Sequence, residues 1–215
     1  MLKFNKVSFS YGDKTLLSDF ELTMADGERT AILGHSGSGK TTLMKLASGL
    51  EKVQSGTIET VFKKASFLFQ EDRLLPWCTA KENLTFVGTS EELAHELLDK
   101  TEIGECSDKL PEELSGGMKR RLAIARALAI DADMFFIDEP LHGLDIKSSK
   151  NMLNLIAEKI EGKSALIITH SPEEAFILAQ RIIIIGERPL KILADRKISE
   201  FKDDEELGQF VKSII

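Results

Sequence analysis

The residues Gly34-His35-Ser36-Gly37-Ser38-Gly39-Lys40-Thr41 have the spacing G-x-x-x-x-G-K-[ST] and are followed by Thr42. Between an apolar strand-like run and a helical pattern, such a loop aims successive backbone N–H groups and a helix N-terminus at an anion. The chemistry is the handling of phosphate. Lys40 is placed to reach β- and γ-phosphates, and the Thr41 hydroxyl to ligate magnesium. Glycines at 34, 37 and 39 keep side chains out of the way, while His35 fills a free position and is assigned no side-chain chemistry.

Phosphoryl transfer also needs a carboxylate near the metal and a group that orients the attacking water. Met134-Phe135-Phe136-Ile137-Asp138-Glu139 is an apolar run ending in adjacent carboxylates. Asp138 suits the magnesium shell, and strand alternation sends Glu139 to the opposite side, facing water as a general base. Taken alone, the pair has a second reading, in which it caps the next segment. His170 follows the run Ala165 to Thr169. A lone histidine there is often structural, but beside the Asp138 strand it would meet a γ-phosphate. A further anion site is written in Leu114-Ser115-Gly116-Gly117-Met118-Lys119-Arg120-Arg121. A serine hydroxyl and two glycines opening a helix offer donors, space and the positive end of the dipole. The basic run Lys119 to Arg121 reads as a solvated first helical turn.

These groups must be held by elements the pattern also predicts. Arg29 to Leu33, Ala65 to Phe69, Met134 to Ile137, Ala165 to Thr169 and Arg181 to Ile185 read as buried strands, and Lys40 to Ser48 as a helix ended by Gly49. Met1 to Asn5 alternates like a strand. From Gln70 to Ile130 long apolar runs give way to helix signals, including a capping box of Thr89 and Glu92 ahead of Leu93, Leu97 and Leu98. Residues 71–130 therefore read as a mostly helical insertion in an α/β core, and Asp203 to Ile215 as a docking helix carrying Leu207, Phe210, Val211 and Ile214.

Composition narrows the partners. The 215 residues are 42% hydrophobic, enough for a sizeable core, and a net charge of -7 argues against a nucleic-acid binder. No run approaches the eighteen apolar residues of a membrane span, and the N-terminus lacks a signal-peptide core. The expected location is the cytosol. Cys78 and Cys106 form no CxxC pair and read as reduced thiols.

The order of these motifs resembles the ATP-binding subunit of ABC transporters over nearly the whole chain. Tyr11 resembles the aromatic A-loop residue that stacks on adenine, Gly34 to Thr42 the Walker A motif, and Gln70 the Q-loop glutamine. Leu114 to Met118 resembles the signature, Asp138 and Glu139 the end of Walker B, Asp145 the D-loop aspartate, and His170 the switch histidine. The resemblance implies an α/β fold with a P-loop NTPase (RecA-like) core, an N-terminal antiparallel β region and a helical ABC-specific subdomain. It divides one domain, 1–215, into a nucleotide-binding core of 1–70 and 131–215 and a helical part of 71–130.

It further implies ATP and Mg2+ as cofactors, with Thr41, Gln70 and Asp138 around the metal. Glu139, His170, Lys40 and Gln70 would be the catalytic set. Ser115, Gly116, Gly117 and Met118 would contact ATP held by a second copy of the chain, so that a head-to-tail homodimer sandwiches two nucleotides. Two positions depart from the family pattern. Met118 stands where many members have glutamine, and Leu141-His142-Gly143-Leu144-Asp145 lacks the usual serine-alanine pair. The segment Leu74-Leu75-Pro76-Trp77 after Gln70 is similar to importer ATPases of the nitrate, sulfonate and taurine group. The implied partners are integral-membrane permease subunits and, indirectly, a solute-binding protein, on the cytoplasmic face of the membrane. Trp77 either anchors the helical insertion or touches a permease helix. The alternatives are a soluble ABC-type ATPase in DNA repair or translation, an exporter ATPase, or a phosphotransferase sharing only the phosphate loop.

Overall fold

Strands β1 (Leu2–Tyr11) and β2 (Lys14–Met24) pair antiparallel, and β4 (Ser55–Thr60) joins the other edge of β1 to give the order β2-β1-β4. The computed structural model describes residues 1–186 and 188–215. A second sheet has six strands. These are β3 (Arg29–Leu33), β5 (Ala65–Leu68), β6 (Met134–Asp138), β7 (Ser164–Ile168), β8 (Arg181–Ile185) and β9 (Ile192–Lys197), in the order β5-β6-β7-β3-β8-β9. All neighbours are parallel except β8 and β9.

The helices are α1 (Lys40–Ala47), α2 (Ala80–Thr85), α3 (Glu91–Lys100), α4 (Gly116–Ala129), α5 (Ile146–Lys159), α6 (Pro172–Leu178) and α7 (Asp204–Ile214). Strand alternation sorts them into layers. On β6, Met134 and Phe136 face a cluster with Leu43 and Met44 of α1 and the inner residues of β1 and β2, such as Phe4 and Leu17. Phe135 and Ile137 face the other way, onto Leu122 and Ile124 of α4, Leu153 of α5 and Leu178 of α6. The parallel sheet is thus the middle layer, which is why its central strands are buried on both faces and read as continuous apolar runs.

The five expected core strands are all present, with ends within one residue. Three strands went unread: β2, β4 and β9, whose apolar content is diluted by charged and hydroxyl residues facing solvent. The cap of α3 also differs from expectation. Ser90, not Thr89, accepts from the Leu93 amide, while the Thr89 hydroxyl donates to Ala129 O at 3.2 Å. The capping box belongs instead to Thr79 and Glu82 at the start of α2. Helices α2, α3 and α4 lie within 71–130, and their buried residues share one cluster with the large sheet. Leu207 and Val211 dock α7 onto the same cluster.

Candidate phosphate-binding and hydrolytic site

The loop between β3 and α1 is shaped by what glycine permits. A side chain on Gly34 would meet Ile185 O at 2.7 Å, and Gly39 sits at φ 111 against Leu16. Gly39 caps α1 without any side-chain hydrogen bond, so the first amides of that helix are left for another acceptor. Lys40 folds over the loop, its Nζ donating to Gly34 O at 2.7 Å and His35 O at 2.9 Å. Burial pushes its pKa below the usual lysine value, against the pull of Glu139 and Asp138. Ser36, Gly37, Gly39, Lys40, Thr41 and Thr42 line one cleft with Gln70, Asp138 and Glu139. The Ser38 hydroxyl is buried beside it without a partner.

Asp138 closes the far side. The Thr41 Oγ1 donates to its Oδ2 at 2.8 Å, while its Oδ1 is buried with no partner. Burial raises its pKa, the Thr41 hydrogen bond opposes this, and Glu139 adds to it. An unpaired carboxylate oxygen next to a hydroxyl suits a hard cation such as Mg2+, which takes oxygen ligands. Among the described residues no group of three or more His, Cys, Asp or Glu could hold a metal.

The expected alternation at the end of β6 does not hold. Glu139 takes φ 47, outside the strand, and this left-handed turn brings both carboxylates into the same cleft. Such a conformation costs about 1–3 kcal/mol in a non-glycine residue and persists only where neighbours enforce it. One neighbour is Ile168 O, which accepts from the Glu139 amide at 2.9 Å. The reading of the pair as a mere cap fails too: Glu139 Oε2 lies 3.0 Å from His170 Nδ1, with the Glu139 side chain 18% exposed.

Other expected residues fall elsewhere. Tyr11 is half exposed, edge-on to Phe9 at 4.9 Å, and is not among the residues lining the cleft. Ser115 caps α4, accepting from the Met118 amide at 3.3 Å. Ser115, Gly116, Gly117 and Met118 do not line the cleft of their own chain. A Cβ on Gly116 would meet nothing within 4 Å, and one on Gly117 nothing closer than 3.8 Å, so the fold itself does not require glycine there. Asp145 caps α5, accepting from the Ser148 amide at 3.0 Å, which holds its carboxyl below the usual aspartate range.

Two arginines went unforeseen. Arg188 Nη2 donates to Gly37 O at 2.9 Å and lines the cleft. Arg120 contradicts the solvated reading of Lys119 to Arg121, because it is 2% exposed. Its helical spacing to Ala123, Ile124, Ala127 and Leu128, all buried, was the signal in the sequence.

With this geometry in place, the comparisons with known proteins are decisive. The family described as "ABC transporter" matches residues 17–142. The chain belongs to the ABC transporter family. The aliphatic sulfonates import ATP-binding protein SsuB 1 of Paracoccus denitrificans (strain Pd 1222) is 37% identical over 85% of this chain and 78% of its own length. The taurine import ATP-binding protein TauB of Escherichia coli (strain K12) is 33% identical over 90% of this chain and 82% of its own. The ATP-binding cassette MJ0796, solved as a dimer in a post-hydrolysis state bound to ADP and Pi, superposes with a TM-score of 0.82. It is 27% identical, over 92% of this chain and 99% of that one. The expected fold class is therefore the observed one, an ABC cassette with a P-loop core.

Proposed function

We propose that this chain is the ATP-hydrolysing subunit of an ABC importer. Two copies, paired head to tail, would drive uptake of a small solute through separate integral-membrane permease subunits served by a solute-binding protein. The observation that carries this reading is the convergence of Lys40, Thr41, Gln70, Asp138 and Glu139 on one cleft at the N-terminus of α1. Import follows the named activities of the sulfonate and taurine relatives, which leave the exporter, DNA-repair and translation readings without support.

The geometry supports the following roles. Lys40 and the free amides of α1 hold the β- and γ-phosphates, while Thr41, Asp138 and Gln70 would hold magnesium, which supplies positive charge to the phosphate oxygens. Glu139 accepts the proton of the attacking water, kept in place by His170 at 3.0 Å. Tyr11 would stack on adenine once the nucleotide is bound. Ser115 to Met118 point their helix at an anion that their own chain does not hold, so they suit the nucleotide of a second copy. Asp145, at the start of α5, would face the same partner.

Among the described residues no helix is long and apolar enough to cross a membrane. Attachment to the cytoplasmic face would run through the permease, and Trp77, 72% exposed, and Phe86, 70% exposed, are exposed aromatic groups that suit it. Trp77 is thus no core anchor. The test is Glu139→Gln, expected to lower turnover by about a hundredfold or more while ATP still drives dimer formation in size-exclusion chromatography. Wild-type turnover in that variant removes Glu139 from the role.

A further inference from the structure

Arg120 sits on α4, five residues after the Ser115 cap, with its side chain 3% exposed. Its three nitrogens reach main-chain carbonyls of two separate segments of the site, Phe69 on one and Glu139 with Pro140 on the other. Nε donates to Pro140 O at 2.8 Å, Nη1 to Phe69 O at 2.6 Å, and Nη2 to Glu139 O at 2.6 Å. Longer contacts run from Nη1 to Gln70 O and Asp72 Oδ1, both at 3.3 Å, and from Nη2 to Asp138 O at 3.2 Å. The guanidinium therefore joins the helix that opens with Ser115-Gly116-Gly117 to the Gln70 segment and to the main chain of Asp138 and Glu139.

Only a planar fork with five N–H donors can span these carbonyls at once; an ammonium offers three donors from one point. The charge is buried, and among the described residues a single carboxylate, Asp72, lies at ion-pair distance, so the main-chain carbonyls supply most of its solvation. Without the guanidinium the carbonyls of Phe69, Glu139 and Pro140 would lose these donors, so the residue governs how their segments are held relative to α4. The carbonyl held most closely, together with that of Phe69, is that of Glu139, whose left-handed φ of 47 needs an external restraint.

We propose that Arg120 is a positioning residue, which fixes Glu139 and Gln70 relative to α4 and so couples the two ends of the composite site. This rests on the reading of Glu139 as the general base. When Ser115 to Gly117 engage the nucleotide of the partner copy, any shift of α4 is passed by Arg120 to Gln70 and Glu139 of its own cleft. The arginine itself touches neither nucleotide.

The test compares Arg120→Lys and Arg120→Gln with wild type and with Glu139→Gln, in steady-state ATP hydrolysis, ATP binding and thermal melting. Positioning predicts that the Arg120 variants fold, keep KM for ATP within about threefold and lose between about tenfold and a hundredfold in kcat. Cooperativity in ATP should fall with it, while Arg120→Lys placed in the Glu139→Gln background still forms the ATP-bound dimer. The proposal is overturned if either variant keeps kcat within twofold, if KM rises in step with the loss, or if neither variant folds, since the arginine would then be structural. Should Glu139→Gln itself turn over normally, the reading of the general base fails independently of Arg120.

Discussion

The Thr41 hydroxyl donates to Asp138 Oδ2 at 2.8 Å, joining the first turn of α1 to the end of β6 across the cleft. This single bond satisfies half of a buried carboxylate and leaves the other oxygen unpartnered. The ligand-free site is thus held in the right shape but at an electrostatic cost, which a cation would offset.

That cost has a measurable sign. Burial raises the pKa of Asp138 above the ordinary aspartate value, so the folded chain keeps this proton at a pH where the unfolded chain has lost it. The stability from this group is present at low pH and is lost as pH rises through the folded value. Asp138→Asn keeps the shape and removes the charge. The ligand-free variant should melt above wild type at neutral pH, and the difference should shrink as pH falls towards the ordinary value of 3.8. With Mg2+ and ATP the order should reverse, because only wild type gains the metal. A variant that melts at or below wild type without ligand at neutral pH refutes the account.

The second prediction concerns a glycine that its own fold does not need. Helix α4 has no acidic residue in its first turn, and a side chain at Gly116 would meet nothing within 4 Å. Gly116→Glu should therefore leave the melting temperature unchanged or raise it, since a carboxylate favours a helix N-terminus and glycine costs about 1 kcal/mol in a helix. The same charge would repel a phosphate brought by a second copy. Turnover should fall by about tenfold or more, with ATP binding to the single chain unaltered. Loss of stability, or of monomer binding, would show that the position serves the chain itself.

Much of this was written in the sequence because it depends on local spacing. The phosphate loop, the strand before it and that strand's sheet neighbour β8 were legible, since Arg29 to Leu33 and Arg181 to Ile185 are buried on both faces and show no polar alternation. What escaped depends on where distant segments meet. The turn at Glu139 is set by Ile168 O and Arg120, neither of which lies nearby in sequence, so alternation alone sent the carboxylate to the wrong side. Arg120 looked solvated because its neighbours Lys119 and Arg121 are charged, although helical spacing puts it in line with the buried stripe. The cap of α3 falls one residue later than read, on Ser90, whose hydroxyl accepts from the Leu93 amide, while the Thr89 hydroxyl is turned towards Ala129 O. Strands β2, β4 and β9 are edge strands or half-exposed, where few apolar residues mark them.

The last prediction separates the chain's own activity from its attachment. Trp77, the single tryptophan of the chain, follows the Gln70 segment and is 72% exposed. Its removal takes away little buried area, so Trp77→Ala should change the melting temperature by no more than about 2 °C and leave ATP hydrolysis of the purified chain at the wild-type level. If the exposed ring meets a permease helix, truncation should cost about 1–3 kcal/mol of association, as for an aromatic anchor at the centre of an interface. Co-expression with the permease, followed by membrane fractionation, reads this directly: wild type sediments with the membrane and the variant is released at moderate detergent or salt. Equal retention of both would place the docking surface elsewhere. A parallel loss of hydrolysis in the isolated chain would instead mean that Trp77 acts on the Gln70 segment of its own chain.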